Sequence, residues 1–139
     1  AECGGAVDYY VLHGPGVAKV TGRFSWLTGR TLLPPRWSLG YSGSTMAYTD
    51  APDAHAKLLG FAADCQRHRV PCSSFQLSSG YSSNEAKAGK RYVFEWNRDK
   101  IPDPSALSAA FSQAGMRLAA NLKPCLLLDH PQYAECARR

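Results

Sequence analysis

After residue 36 the chain changes hydrophobic period four times, and that alternation restricts its fold more than any other feature. Arg36–Tyr41 (RWSLGY) reads as a short strand. Ala54–Arg69 reads as a helix, with Ala54, Leu58, Phe61, Ala62 and Cys65 on one apolar stripe and Asp50 or Asp53 as its N-terminal cap. Pro71 closes the turn into a second strand, Cys72–Leu77 (CSSFQL). Asp103-Pro104 is a strong helix start, a capping carboxylate followed by proline at the first helical position. That helix, 103–115, buries Leu107, Ala110, Phe111 and Ala114 and stops at Gly115. Arg117–Leu122 is the third strand, and Pro124 prevents its continuation as a central one. Strands separated by helices pair in parallel through right-handed crossovers. Three strands and two crossover helices are too few to close a barrel, which takes about 250 residues at roughly 30 per unit. The open edges need cover from the N-terminal segment, another copy of the chain, or a missing remainder.

The segment before residue 36 is a lead-in. Residues 6–12 (AVDYYVL) read as a short strand, and His13–Gly16 as a turn punctuated by Gly-Pro-Gly. Val17, Val20, Phe24 and Leu27 recur at helical spacing up to Gly29, and Pro34-Pro35 forces the chain to enter residue 36 in an extended conformation. The polar stretch Ser78–Lys100 is expected to hold a local hairpin around Arg91–Trp96. The first residue is Ala rather than Met, so the chain reads as processed, engineered or cut from something longer.

Composition removes several function classes. With 139 residues, 45% hydrophobic and 19% charged, the chain is of one-domain length and has the make-up of a folded protein. There is no run of 18 apolar residues and no signal-peptide pattern, so no membrane partner is expected and a cytoplasmic location is. The net charge of +5 has one dense basic stretch, Lys87, Lys90, Arg91, Arg98 and Lys100, interleaved with Tyr92, Phe94 and Trp96. Such a stretch can track single-stranded nucleic acid. Glu85, Glu95 and Asp99 dilute it, so it reads as a solvated loop, with no nucleic-acid partner.

Five cysteines and no CxxC leave no closely paired zinc ligands and no fully paired disulfide scaffold. Cys65, Cys72 and Cys125 lie in apolar runs and read as small free hydrophobes of a reducing compartment. His13, His55, His68 and His130 share no metal spacing, so neither metal nor cofactor is expected. No GxSxG elbow surrounds Ser73, Ser74, Ser78 or Ser79, and no GxGxxG or P-loop occurs. Asp99 and Asp103 are spaced so as to mimic a carboxylate pair, but a capping role explains Asp103.

An ordered set of short motifs then carries a resemblance. Tyr9-Tyr10-Val11-Leu12-His13-Gly14-Pro15, Leu27-Thr28-Gly29-Arg30 and Leu33-Pro34-Pro35-Arg36-Trp37-Ser38-Leu39-Gly40-Tyr41 come first. Val70-Pro71, Phe94-Glu95-Trp96-Asn97, Ile101-Pro102-Asp103-Pro104, Gly115-Met116-Arg117 and Lys123-Pro124 come next in the same order. Together they resemble glycoside hydrolase family 31, the α-glucosidase-like clan, over residues 9 to about 131. The resemblance implies an α/β fold that is a partial TIM (β/α)8 barrel: a lead-in over 1–35 and the first three βα units over 36–139. In that family the chemistry is retaining hydrolysis of α-O-glycosidic bonds by two carboxylates, one a nucleophile and one an acid/base. Both sit on later strands, so this chain is expected to hold part of the sugar pocket and no catalytic residue.

The candidate substrate-binding residues are Tyr41, Ser44, Ser78, Ser79, Tyr81 and Lys123. Tyr41 and Ser44 are placed at the C-terminal end of the first strand, where barrel enzymes build their sites. Ser78 stands where the family carries an aspartate after strand two, and Lys123-Pro124 where it often has Asp-Pro. A carboxylate accepts two hydroxyl hydrogen bonds, whereas serine forms a weaker one and lysine only donates. The swaps suit a glycone other than glucose, one bearing an acidic or substituted group. Trp37 is expected in the core and Trp96 packed under the long loop. The expected partner is an α-glycoside. The alternative reading is a non-catalytic module that self-associates or binds carbohydrate. Apolar inner faces and at least one bare edge predict a homo-oligomer if the remainder of the barrel is absent.

Overall fold

The computed structural model describes residue 5 and residues 7–138. The chain divides into two units, Ala1–Pro34 and Pro35–Arg139. The first contains one helix, α1 (Val17–Thr28), which buries none of its residues. Residue 6 lies outside the described residues, and 7–12 form no strand. A strand needs a neighbour for its backbone groups, and the described part of this unit offers none.

The second unit runs β1 (Ser42–Ser44), α2 (Met46–Thr49), α3 (Ala54–Arg67), β2 (Ser74–Leu77), β3 (Ser83–Asn84), β4 (Lys90–Arg91), α4 (Pro104–Gln113), β5 (Arg117–Ala120) and α5 (Tyr133–Cys136). β1, β2 and β5 form one sheet in that order. Both pairings are parallel, with Ser42, Ser74 and Arg117 in one row and Ser44, Gln76 and Ala119 in another. The two crossover helices α3 and α4 lie between successive strands, as the alternating periods predict.

Three local expectations shift. The first strand is not at Arg36–Tyr41. The Pro35 carbonyl accepts both the backbone amide and the hydroxyl of Ser38, at 2.9 and 2.8 Å, and this curls Arg36–Leu39 into a 3-10 turn. Trp37, expected in the core, is 41% exposed there. Pairing starts only where the Ser73 amide reaches the Tyr41 carbonyl, at 2.8 Å. The hairpin is also earlier than Arg91–Trp96. Ala88 and Gly89 both adopt positive φ, which turns the chain so that β4 returns antiparallel to β3. Past Arg91 the chain dives inward, burying Tyr92 and Val93. Asp53 occupies the N-cap position of α3 without capping it: its carboxylate pairs with Lys57, while the His55 amide finds the Lys100 carbonyl. Asp103 does cap α4, accepting the Ala106 amide at 2.9 Å.

The core lies on one side of the sheet. Ala54, Leu58, Ala62 and Cys65 of α3 meet Phe75 and Leu77 of β2 and Leu107 and Phe111 of α4. Phe75 is its centre. Its ring packs edge-on to Phe61 at 4.8 Å and to Phe111 at 6.2 Å, and stacks with Tyr48 at 6.2 Å. Gly43 lets β1 approach this cluster, since a Cβ there would sit 2.6 Å from Phe61 Cζ and 3.0 Å from Phe75 Cδ2. Side chains alternate along a strand. The opposite face therefore carries Ser42, Ser44, Ser74, Gln76, Arg117 and Ala119. This corrects the expectation of apolar inner faces: the large apolar residues of the strands face the helices, and the other face is mostly polar.

Truncating the central ring tests this arrangement. Phe75→Ala is expected to lower unfolding free energy by about 3–5 kcal/mol, the range for a fully buried phenylalanine. Phe94→Ala, at a site 60% exposed, is expected to change it by less than about 0.5 kcal/mol. Urea denaturation of both variants reads the difference.

Candidate functional site

Parallel strands end together, so the residues following β1, β2 and β5 gather at one rim of the sheet. A small cleft of about 100 Å3 opens there. Its walls include Ser44 from β1, Gln76 and Ser78 from β2 and the turn after it, and Ala119, Ala120 and Asn121 from β5 and its exit. The Asn121 amide donates to the Leu77 carbonyl at 3.1 Å, which extends the β2–β5 ladder to the rim and fixes the wall. The cleft offers two hydroxyls and two carboxamides, groups that both donate and accept hydrogen bonds. No carboxylate lines it.

Of the six residues singled out from the sequence, Ser44 and Ser78 line this cleft. Ser79 and Tyr81 belong to the turn behind it. Ser79 offers its carbonyl to the Ser82 hydroxyl at 2.9 Å. Tyr81 is 2% exposed; its hydroxyl donates to the Asn121 carbonyl at 3.1 Å and its ring lies 4.8 Å from that of Trp96. Burial pushes the Tyr81 phenol above its ordinary value, which keeps it a donor. It supports the rim from beneath, and Trp96 is packed under the loop, as expected. Lys123 is exposed on the loop after β5 and is not part of the cleft wall. Tyr41 is a correction. Because β1 begins at Ser42, Tyr41 lies at that strand's N-terminal end, away from the rim. Gln76 and Asn121 were missed. The alternation Ser74-Phe75-Gln76-Leu77 carries the signal for Gln76, since it puts the two polar residues on the face away from the helices.

A buried polar network holds the turn in place. Lys100, whose side chain is 9% exposed, directs its ammonium at the Asp50 carbonyl (3.1 Å), the Ser83 hydroxyl (2.9 Å) and the Glu85 carboxylate (2.7 Å). Its three donors are thus all used. The single Ser83 hydroxyl proton is shared between the Gly80 carbonyl at 2.9 Å and the Glu85 carboxylate at 2.8 Å. Asn97 donates its side-chain amide to the Ser83 carbonyl at 2.7 Å and its backbone amide to the Tyr81 carbonyl at 2.8 Å. Asp50 also pairs with Arg91 at 2.9 Å. Gly80 is wedged against Thr49 and Asp50: a Cβ would come within 2.1 Å of Asp50 Oδ1 and 2.6 Å of the Thr49 carbonyl. Hydrogen bonds from Lys100 and Ser83 hold the Glu85 carboxyl below the usual carboxylate range.

These pairings also dispose of the basic stretch. Lys100 is buried, Arg91 pairs with Asp50, and Lys90 pairs with Asp129 at 2.7 Å. What looked like a run of cations is largely neutralised within the fold. A wider cleft of about 300 Å3 lies beside the hairpin, walled by Glu85, Glu95, Trp96 and Asp99 among others, and shares no residue with the rim. Among the described residues, no three His, Cys, Asp or Glu side chains gather as metal ligands. Cys125, expected to be an apolar filler, is exposed. His130 is buried, with Nε2 donating to the Val93 carbonyl at 2.8 Å and Nδ1 accepting the Gln132 amide at 3.0 Å.

Comparison with known proteins gives a consistent result. The glycosyl hydrolases family 31 TIM-barrel domain model matches residues 31–139. Alpha-xylosidase XylQ of Lactiplantibacillus pentosus is 29% identical over 132 residues, covering 95% of this chain and 16% of that protein. Alpha-glucosidase 2 of Bacillus thermoamyloliquefaciens is 32% identical over 130 residues, 94% of this chain and 15% of that one. Human neutral alpha-glucosidase AB is 30% identical, with 90% and 12% covered. The chain thus spans about a sixth, or less, of these relatives. Among solved structures, the Flavobacterium johnsoniae GH31 dextranase complexed with glucose superimposes with a TM-score of 0.64 at 20% identity, over 89% of this chain and 14% of that one. That last likeness is one of fold.

The Lys100 network makes a measurable prediction. Lys100→Ala removes the buried donor shared by the Asp50 carbonyl, the Ser83 hydroxyl and the Glu85 carboxylate and is expected to cost about 1–3 kcal/mol of stability. Because the Glu85 carboxyl is held low in the folded chain, its contribution is complete above the ordinary carboxylate range and fades as pH falls through the depressed value. Thermal melts between about pH 7 and pH 3 should therefore show a shallower acid loss in Lys100→Ala and in Glu85→Gln than in the parent chain.

Proposed function

This chain belongs to glycosyl hydrolase family 31, and from that premise we propose that its second unit forms the opening βα units of an α-glycosidase barrel and contributes one wall of the sugar pocket. The rim cleft carries the proposal: hydroxyl and carboxamide groups of Ser44, Gln76, Ser78 and Asn121 converge at the C-terminal ends of three adjacent parallel strands. Barrel enzymes place their sites at that end, and sugar hydroxyls are matched by groups that donate and accept. Retaining hydrolysis needs two carboxylates flanking the scissile bond, one forming the glycosyl-enzyme and one moving the proton. The cleft wall has neither, so the bond-breaking groups belong to later strands of such a barrel. The part played here is orientation of the glycone. Lys123, on the loop beside the rim, adds a cation suited to an anionic or substituted sugar.

A second reading rests on the sheet edges. Among the described residues, β1 and β5 each pair on one side only, and Leu39, Met46, Leu122 and Leu128 are exposed. Unpaired edges template association. In this reading the chain acts as a self-associating carbohydrate-binding module without turnover.

Three measurements test these readings. The 139-residue chain is expected to release no p-nitrophenol from any chromogenic α-glycoside, while methyl α-glycosides at about millimolar concentration shift the amide resonances of Ser44, Gln76, Ser78 and Asn121. Sugar-induced shifts confined to other residues, or turnover that survives repurification, would sink the proposal. Light scattering at micromolar concentration reads the edges: strand pairing between copies predicts a mass of at least twice 15.1 kDa, and a monomer with cooperative unfolding refutes the self-association reading.

A further inference from the structure

The stretch that follows β5 is pinned to the body of the second unit by one buried ring. Among the described residues from 121 to 138, His130 alone is buried, at 4% exposed. α5 buries none of its residues. The imidazole is used on both sides. Nε2 donates to the Val93 carbonyl at 2.8 Å, and Nδ1 accepts the Gln132 amide at 3.0 Å. Only the neutral tautomer with its proton on Nε2 makes both bonds. The backbone of the same residue shapes the turn: its amide donates to the Leu127 carbonyl and its carbonyl accepts the Tyr133 amide, both at 2.9 Å. Beside the ring lies an exposed ion pair, Lys90 with Asp129 at 2.7 Å. The hydrogen bond between them holds the Asp129 carboxyl below the usual carboxylate range and the Lys90 ammonium above its own. That pair therefore keeps its charges over the range in which histidines titrate.

The geometry points to a pH-operated latch: protonation of His130 releases residues 131–136 from Tyr92 and Val93 and leaves the Lys90–Asp129 pair as the hinge. The added proton goes to Nδ1, the atom that faces the Gln132 amide. Two N–H groups then oppose each other, the Gln132 bond is lost, and a cation occupies a buried site. The charged and titratable groups around the ring are Asp129 next to it in the chain, Lys90 and Tyr92 from β4 and the residue after it, and Tyr133 and Glu135 from α5. Tyr92 meets the ring edge-on, with centroids 5.5 Å apart, and the Asp129 carboxylate is engaged by Lys90. The fastening is complete while His130 is neutral and is lost as pH falls through its titration. Pro131 and Tyr92 both line the cleft of about 300 Å3 beside the hairpin. The latch is thus part of that cleft's wall, and opening it widens the cleft.

NMR on the 139-residue chain reads the proton and the motion together. The His130 ring Cε1 proton reports its own titration, and the backbone proton–nitrogen NOE of residues 131–136 reports fast motion. That NOE is expected to fall, and the Gln132 amide to shift, along the same pH curve as His130, while α4 keeps its values. In His130→Asn, whose side chain has no proton to gain, this pH dependence is expected to vanish. A His130 that titrates while the Gln132 amide and the NOE stay unmoved would overturn the proposal. So would a ring that stays neutral until α4 itself unfolds, or a loosening that follows the same curve in His130→Asn.

Discussion

Lys100 carries a charge into the interior, and the loops around the strand ends are arranged to receive it. A buried ammonium is costly unless it is paired and all its protons are accepted. Here the three acceptors come from two separate stretches: the Asp50 carbonyl from the end of α2, and the Ser83 hydroxyl and Glu85 carboxylate from the β3–β4 hairpin. Satisfying one cation thus ties two pieces of chain to the segment that precedes α4. That segment also supports α3, since the Lys100 carbonyl accepts the His55 amide. Asn97, Tyr81 and Asn121 extend the network to the exit of β5. The rim of the sheet is therefore held by polar bonds, while the helix-facing side is held by the Phe75 cluster.

With the large apolar residues on the helix side, the other face of the three-stranded sheet is mostly polar. Ordinary barrel interiors are filled by branched apolar layers. The rows Ser42–Ser74–Arg117 and Ser44–Gln76–Ala119 depart from that filling, and the second row leads straight into the rim cleft. Serine and glutamine there leave room and supply hydrogen-bonding groups. Under the proposed function these groups would meet sugar hydroxyls, which call for donors and acceptors that are themselves rigidly held.

How much of this was legible depended on the range of the interaction concerned. Helix α4 was readable almost to the residue, because Asp103, Pro104 and the 107/111 spacing act within one or two turns. The parallel pairing of β1, β2 and β5 followed from the helices between them. The first strand was displaced because the Ser38 contacts to Pro35 curl a segment whose composition suits a strand. Tyr41 was carried to the wrong end of its strand by that displacement. Ser44 and Ser78 line the cleft because they close or follow strands, whereas Asn121 joins its wall through its bond to the Leu77 carbonyl.

The sequence by itself determined the alternation of the three sheet strands with α3 and α4, the parallel sheet and the family, since hydrophobic periods, caps and ordered motifs are local and survive without knowledge of contacts. Tertiary structure decided which face is polar, which serines meet in one cleft, and that Lys100 is a buried hub rather than part of a basic surface. Those outcomes hang on partners far apart along the chain: Lys100 meets Asp50 across 50 residues and Tyr81 meets Asn121 across 40. A charge's fate depends on whether acceptors are brought to it, and no local pattern records that.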